Sequence, residues 1–153
     1  MDVRWSVKPV AWDDPVGVEL RADQEAELLA RYGQDTEPGA KPTAATISVF
    51  LVVSDAFTGE PVGCGALRDL DEEAVEIKRM YVVPKHRGRG AGRAVLAALE
   101  QTARSRGATV ARLETGTEQP EAITLYERGG YDRIDAFGSY VDNPQSVCYE
   151  RIL

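Results

Sequence analysis

The sequence predicts a single domain of mixed α+β class, and three observations predict it. Strand-like runs at 46–54, 62–69 and 74–83 are separated only by turn-length segments, which implies an antiparallel meander. Residues 91–105 then place apolar side chains at helical spacing. A further strand-like run at 109–115 requires the chain to cross the sheet through that helix before a last helix and a closing hairpin. No repeat, low-complexity tract or composition break divides the 153 residues, a length ordinary for one domain.

Taken in order, residues 3–8 read as a short first strand ended by Pro9. Asp14 followed by Pro15 is a helix start, an acceptor at the cap and proline at the first helical position. That helix runs towards Tyr32 and stops at Gly33, with Gly17 and residues 21–23 as points of interruption. Residues 34–43, with two prolines and a glycine, form a loop. The meander follows, its turns at 58–61 and 70–73, and Pro84 ends its third strand. In the next helix Ala91, Ala94, Val95, Ala98, Leu99, Thr102 and Ala103 share one face, and Gly107 supplies the stop. Pro120 opens another helix that Gly129 and Gly130 close; 131–135 and 146–152 are the last strands.

Composition narrows the function. Apolar residues make up 43% and charged residues 28%, so the chain can build an ordinary core without disulfides or a metal. The longest apolar run, 94–99, is far short of the ~20 residues that span a bilayer. The segment before Pro9 has no apolar stretch of a signal peptide. Two cysteines, Cys64 and Cys148, in no metal-like or redox-like spacing point to reduced thiols in the cytoplasm, and with one histidine no metal site is expected. A net charge of −7 argues against a general nucleic-acid surface. Against that background Lys78, Arg79, Lys85, Arg87, Arg89 and Arg93 fall in sixteen residues without an acid, while the rest of the chain sets 12 cations against 25 acids. A local site for an anionic ligand is the natural consequence.

Glycines 88, 90 and 92 lie where that basic segment turns from strand into helix. The first amides of a helix lack internal partners and carry the positive end of its dipole, so glycines that let a ligand approach them make a pyrophosphate cradle. A dinucleotide fingerprint fails, because positions 93 and 95 are Arg and Val; a Walker loop fails at Arg93. The pattern that fits is Arg/Gln-x-x-Gly-x-Gly/Ala, here Arg87, Gly90 and Gly92. On these residues the chain resembles the GCN5-related N-acetyltransferases (GNAT), which bind acetyl-coenzyme A. The resemblance implies the GNAT acyl-CoA N-acyltransferase fold: a central, mostly antiparallel twisted sheet of six to seven strands, flanked by helices and splayed after the fourth strand. It also implies that Arg87, Gly88, Arg89, Gly90, Ala91, Gly92 and Arg93 hold the pyrophosphate, and that backbone groups of Met80, Tyr81 and Val82 pair with the pantetheine arm. His86 would lie near the phosphates or stand by.

Acetyl transfer to an amine needs a base for the ammonium proton and stabilisation of the departing thiolate. Residues 119–131, in which Tyr126-Glu127 precedes Gly130-Tyr131, are similar to the family's second signature. The resemblance implies that Tyr126 serves the coenzyme A sulfur and that Gln119 stands where relatives carry an asparagine on the coenzyme. For the base it points to Glu76, eleven residues before Arg87, at the offset of the glutamate in histone-acetylating members. Alternation would place Glu76 with Lys78 and Met80, and Ile77, Arg79 and Tyr81 opposite. The alternative for Glu76 is a surface carboxylate paired with Lys78. Glu19, Glu25 and residues 71–73 offer an acidic approach for a cationic amine, joined by residues 139–143; Arg21, Arg68 and Arg79 offer partners for an acceptor's carboxylate.

The expected activity is direct transfer of acetyl from acetyl-CoA to a small-molecule or amino-acid-like amine in a ternary complex, without metal, nucleic acid or membrane. Neither cysteine sits in a nucleophile setting. The alternatives are a protein lysine or N-terminal acetyltransferase, favoured by an open groove, and a non-catalytic acyl-CoA sensor. A homodimer, common in such folds, is compatible with the sequence and not established by it.

Overall fold

The computed structural model describes residues 4–153. Strand β1 (Trp5–Pro9) and helix α1 (Pro15–Tyr32) precede the meander of β2 (Val49–Asp55), β3 (Pro61–Asp69) and β4 (Ala74–Val82). Helix α2 (Ala91–Ser105), β5 (Val110–Gly116), α3 (Pro120–Arg128), β6 (Asp132–Ile134) and β7 (Ser146–Ile152) complete the chain. The seven strands form one sheet in the order β1-β2-β3-β4-β5-β7-β6, antiparallel except for β4 beside β5. This is the expected α+β architecture. The closing hairpin forms with β7 inserted between β5 and β6.

Local sequence explains the element ends. The Asp14 carboxylate accepts from the Val16 N–H, and Gly33 closes α1 at φ 73° with its N–H on the Leu29 carbonyl. Neither Gly17 nor residues 21–23 interrupt the helix. Pro9 sits inside β1, where an edge strand tolerates a missing donor. Val3, with which the predicted first strand begins, lies outside the described residues. Residues 34–43 form no helix or strand.

Two apolar layers sandwich the sheet. Beneath α2, Leu67, Val75, Ile77, Val95, Leu99 and Leu113 form the larger core. Beneath α1, Leu20, Phe50, Val52, Cys64, Ala66 and Tyr81 form the smaller one. The α2 helix lies close because β3 offers Gly65: a Cβ there would stand 2.7 Å from Val95 and 2.9 Å from Leu99.

Two irregularities of β4 position the site. Pairing between β4 and β5 runs only from Ala74 opposite Val110 to Ile77 opposite Leu113, so the sheet splits beyond that point. In addition, Ala66 faces Lys78 whereas Cys64 faces Tyr81, so two residues of β3 span three of β4. This bulge holds Arg79 at φ 56°, the one positive φ of a non-glycine residue among those described. It corrects the simple alternation: Met80 packs with Ile77 in the α2-side core, and Tyr81 joins Cys64 and Ala66 beneath α1. An extra residue inverts every side chain after it.

Candidate active site

The turn after β4 builds an anion-facing helix start. Gly90 caps α2 at φ 93°, and a Cβ on Gly88 would meet nothing within 4 Å. These residues, with Ala91, Gly92 and Arg93, wall a cavity of about 960 Å³ that runs along Met80, Tyr81 and Val82 to Gln119 and Tyr126. Free amides at a helix N-terminus beside Arg93 suit a pyrophosphate.

The arginines divide differently from the expectation. Arg87 reaches the cavity, yet its Nε donates to the Val82 carbonyl at 2.8 Å and its Nη2 lies 2.8 and 2.9 Å from the two oxygens of Glu27. Its guanidinium therefore ties β4 to α1. Arg89 is not among the cavity's walls; its carbonyl accepts from Trp5 Nε1 at 2.9 Å. His86 lies against Glu60, Nε2 to Oε2 at 3.3 Å, and edge-on to Trp5. Gln24 of α1 donates to the Met80 carbonyl at 2.9 Å, and its Oε1 is buried with no partner. An unmet acceptor at the split fits an incoming amide N–H such as a pantetheine arm carries.

A second cavity, of about 310 Å³, opens from the split towards α1 and shares Gln24, Leu28, Met80, Gln119, Ala122 and Tyr126 with the first. Tyr126 is 5% exposed, stacks edge-on against Tyr131 at 5.9 Å, and borders both cavities. Burial, with Glu114 nearby, pushes its phenol well above the usual tyrosine range, so it stays protonated.

Glu76 is 1% exposed in the wall of the second cavity. Tyr140 donates to its Oε2 at 2.5 Å, Lys78 Nζ lies 3.5 Å from the same oxygen, and Arg68 Nε lies 3.2 Å from Oε1 without hydrogen-bond alignment. Lys78 in turn donates to the Tyr140 hydroxyl at 2.8 Å. Glu114, on β5 across the split, is a carboxyl that sequence reasoning missed. Ser146 donates to one of its oxygens at 2.6 Å, and burial pushes its pKa up to about 7 against the opposing pull of Ser146 and Lys78. The missed signal was the alternation of 109–115, which puts Glu114 on the face opposite Ala111 and Leu113. Gln24 was missed, and Tyr140 was read only as part of the 139–143 loop and not as a partner of Glu76, because each role depends on a long-range contact. Of the proposed carboxylate binders only Arg79 lines this cavity; Arg21 stacks on Trp12 at 3.6 Å and Arg68 pairs with Glu76. Of the proposed acidic approach, Glu25 lines the cavity, and Tyr140 and Asn143 join it from the later loop.

The fold agrees with comparisons to known proteins. Residues 8–131 match the acetyltransferase (GNAT) family model, and the chain belongs to that family. A protein from Azospirillum brasilense named IAA acetyltransferase is 39% identical over 137 residues, 85% of this chain and 89% of the relative. A solved structure from Klebsiella pneumoniae, described as an acyl-CoA N-acyltransferase, is 35% identical and superposes with a TM-score of 0.83, covering 99% of each chain. A GNAT acetyltransferase from Elizabethkingia anophelis, solved with acetyl-CoA bound, shares the fold at a TM-score of 0.72 and 17% identity, covering 99% of this chain and 100% of its own.

Proposed function

We propose that the protein is an acetyl-CoA-dependent N-acetyltransferase that acetylates a small-molecule amine directly in a ternary complex. The observation that carries this reading is the meeting of two cavities at Tyr126, Met80, Gln24 and Gln119, one bordered by a phosphate-suited helix start and one by carboxylates. The name of the Azospirillum relative supports a small acceptor. So do the walls: the Asn143 side chain donates to the Thr36 carbonyl at 3.1 Å, clasping two loops around a volume fit for a small molecule rather than a protein tail.

In this reading the α2 amides with Gly88, Gly90, Gly92 and Arg93 hold the pyrophosphate, while Arg87 fixes the strand they follow. Gln24 Oε1 accepts from the pantetheine arm. Glu114 accepts the proton of the acceptor ammonium, because a carboxyl near 7 is half ionised at neutral pH and can take that proton. Glu76, the base suggested by sequence, spends Oε2 on Tyr140 and Lys78 and has the Arg68 charge beside Oε1, so in this reading it fixes Tyr140 and Lys78 in the wall. Tyr126 donates a hydrogen bond to the leaving sulfur. Its raised pKa makes full proton transfer to a thiolate, whose thiol titrates near ~8.5, unfavourable, so it stabilises charge rather than quenching it.

The test is calorimetric titration with acetyl-CoA, ATP and NADH, followed by a thiol-release assay over a panel of amines. Saturable binding of acetyl-CoA alone and amine-dependent thiol release support the reading; release no faster than without amine leaves a binding protein.

A further inference from the structure

The acceptor cavity already holds a carboxylate, and it belongs to the protein. Glu37, on the loop of residues 34–43, extends its side chain to three cations. Its Oε1 lies 3.0 Å from Arg79 Nη2 and 3.0 Å from Lys41 Nζ, and its Oε2 lies 3.8 Å from Lys78 Nζ. Arg79 and Lys78 are only 8% and 10% exposed, and all four residues line the cavity that Tyr126 borders.

The remaining partners of these cations are unequal. Lys41 also pairs with Asp35 at 2.7 Å, and Lys78 donates to Tyr140 beside Glu76. Among the described residues Arg79 has only Glu25, at 3.9 Å and 59% exposed. Withdrawal of Glu37 would therefore leave a buried guanidinium without a close acceptor, a costly state unless another carboxylate enters. Arg79 is aimed into the cavity by the β4 bulge at φ 56°, a conformation that favours glycine and persists only where surroundings impose it. The loop carrying Glu37 has no helix or strand of its own, and is held from the far side by Asn143 on Thr36 and Ser139 on Pro38.

We propose that Arg79 and Lys78 form a carboxylate subsite for the acceptor, and that Glu37 fills it until an acceptor displaces it. The acceptor class is then an amine that also carries a carboxylate, an amino acid or a close analogue. This rests on the acetyltransferase reading above and narrows it. Glu37 is a placeholder and Arg79 a specificity residue; neither is placed at the reacting atoms.

The test has two arms. In the first, acetate is titrated into the Glu37→Gly variant by thermal shift and calorimetry at constant ionic strength, with chloride as control. Saturable stabilisation is expected in that variant, at least tenfold weaker binding in the wild type, and none in Glu37→Gly with Arg79→Gln. Equal, unsaturable responses in all three proteins would overturn the subsite, whatever the enzyme acetylates. In the second arm, amino acids are compared with their carboxamides in the thiol-release assay. The carboxamides should lose about 100-fold in kcat/KM, and Arg79→Gln should reduce that preference below tenfold by raising KM for the acids alone. Carboxamides turned over as well as acids would sink the subsite and leave the acetyltransferase standing. Saturable acetate binding with no amine turned over would leave the subsite and remove the activity.

Discussion

Two side chains beyond the β4–β5 split, Tyr126 on α3 and Glu114 on β5, divide the proposed chemistry, and their ionisation separates their roles. Burial holds the Tyr126 phenol protonated, so Tyr126→Phe removes one hydrogen bond to developing charge. Loss of one such donor costs roughly 10²-fold in rate. The expected outcome is a kcat lower by about that factor with unchanged affinity for acetyl-CoA, measured by steady-state kinetics and calorimetry; an unchanged rate would remove Tyr126 from the mechanism. Glu114, raised to about 7, must lose its proton to act, so kcat/KM should rise with pH through about 7, and Glu114→Gln should abolish that limb. Stability runs the other way. A carboxyl whose folded pKa lies above its ordinary value favours the folded state below that ordinary value, and the benefit disappears as pH climbs through about 7. Glu114→Gln should therefore stabilise the protein relative to wild type at pH 8 but not at pH 4.5, by at most about 3 kcal/mol, read as a raised Tm at the higher pH alone. A Tm difference that does not change with pH would mean that the carboxyl titrates in its ordinary range.

At the scale of the element, the turn from β4 into α2 was legible because its chemistry is local. Proline ends the strand, glycines open the helix start, and both are read in a few consecutive residues. The same holds for Asp14 and Gly33, which cap α1 where sequence placed them. What stayed hidden is what depends on pairing. The β4 bulge has no local signature, since Arg79 carries no glycine to announce its positive φ, and so Met80 and Tyr81 were assigned to the wrong faces. Likewise nothing near Arg87 in sequence shows its partner Glu27, sixty residues earlier, at 2.8 Å. The helix start yields its own prediction. Gly90→Glu should abolish acetyl-CoA binding by setting bulk and negative charge in the cradle, in a protein that still folds by circular dichroism. Because Gly90 sits at φ 93°, any side chain there also adds roughly 1 kcal/mol of strain, which Gly90→Ala isolates. Retained affinity in the glutamate variant would sink the assigned phosphate site.

Across the whole molecule, the sheet is continuous at one end and split at the other, and the split is where both cavities meet. The β4–β5 ladder stops after Ile77 and Leu113, so the backbone edges beyond it must find partners outside the sheet. Gln24 satisfies the Met80 carbonyl and Arg87 the Val82 carbonyl, each by reaching across from another element. A ligand arm laid into the split would bridge the two half-sheets, one carrying α1 and α2 and the other α3. Such a ligand binds the folded state alone, and at a hundred times its Kd it adds about 2.7 kcal/mol of stability. For a chain of this size that is a rise in Tm of roughly 5–10 °C. Saturating acetyl-CoA should produce it in a thermal melt, together with slowed amide exchange at the Met80 to Val82 edge of β4. Coenzyme A lacking the acetyl group should give most of the same shift, because the pyrophosphate cradle and the pantetheine groove do not touch the acetyl carbon. A ligand-induced Tm rise with no change in exchange along β4 would place the coenzyme elsewhere on the protein and leave the split without its proposed occupant.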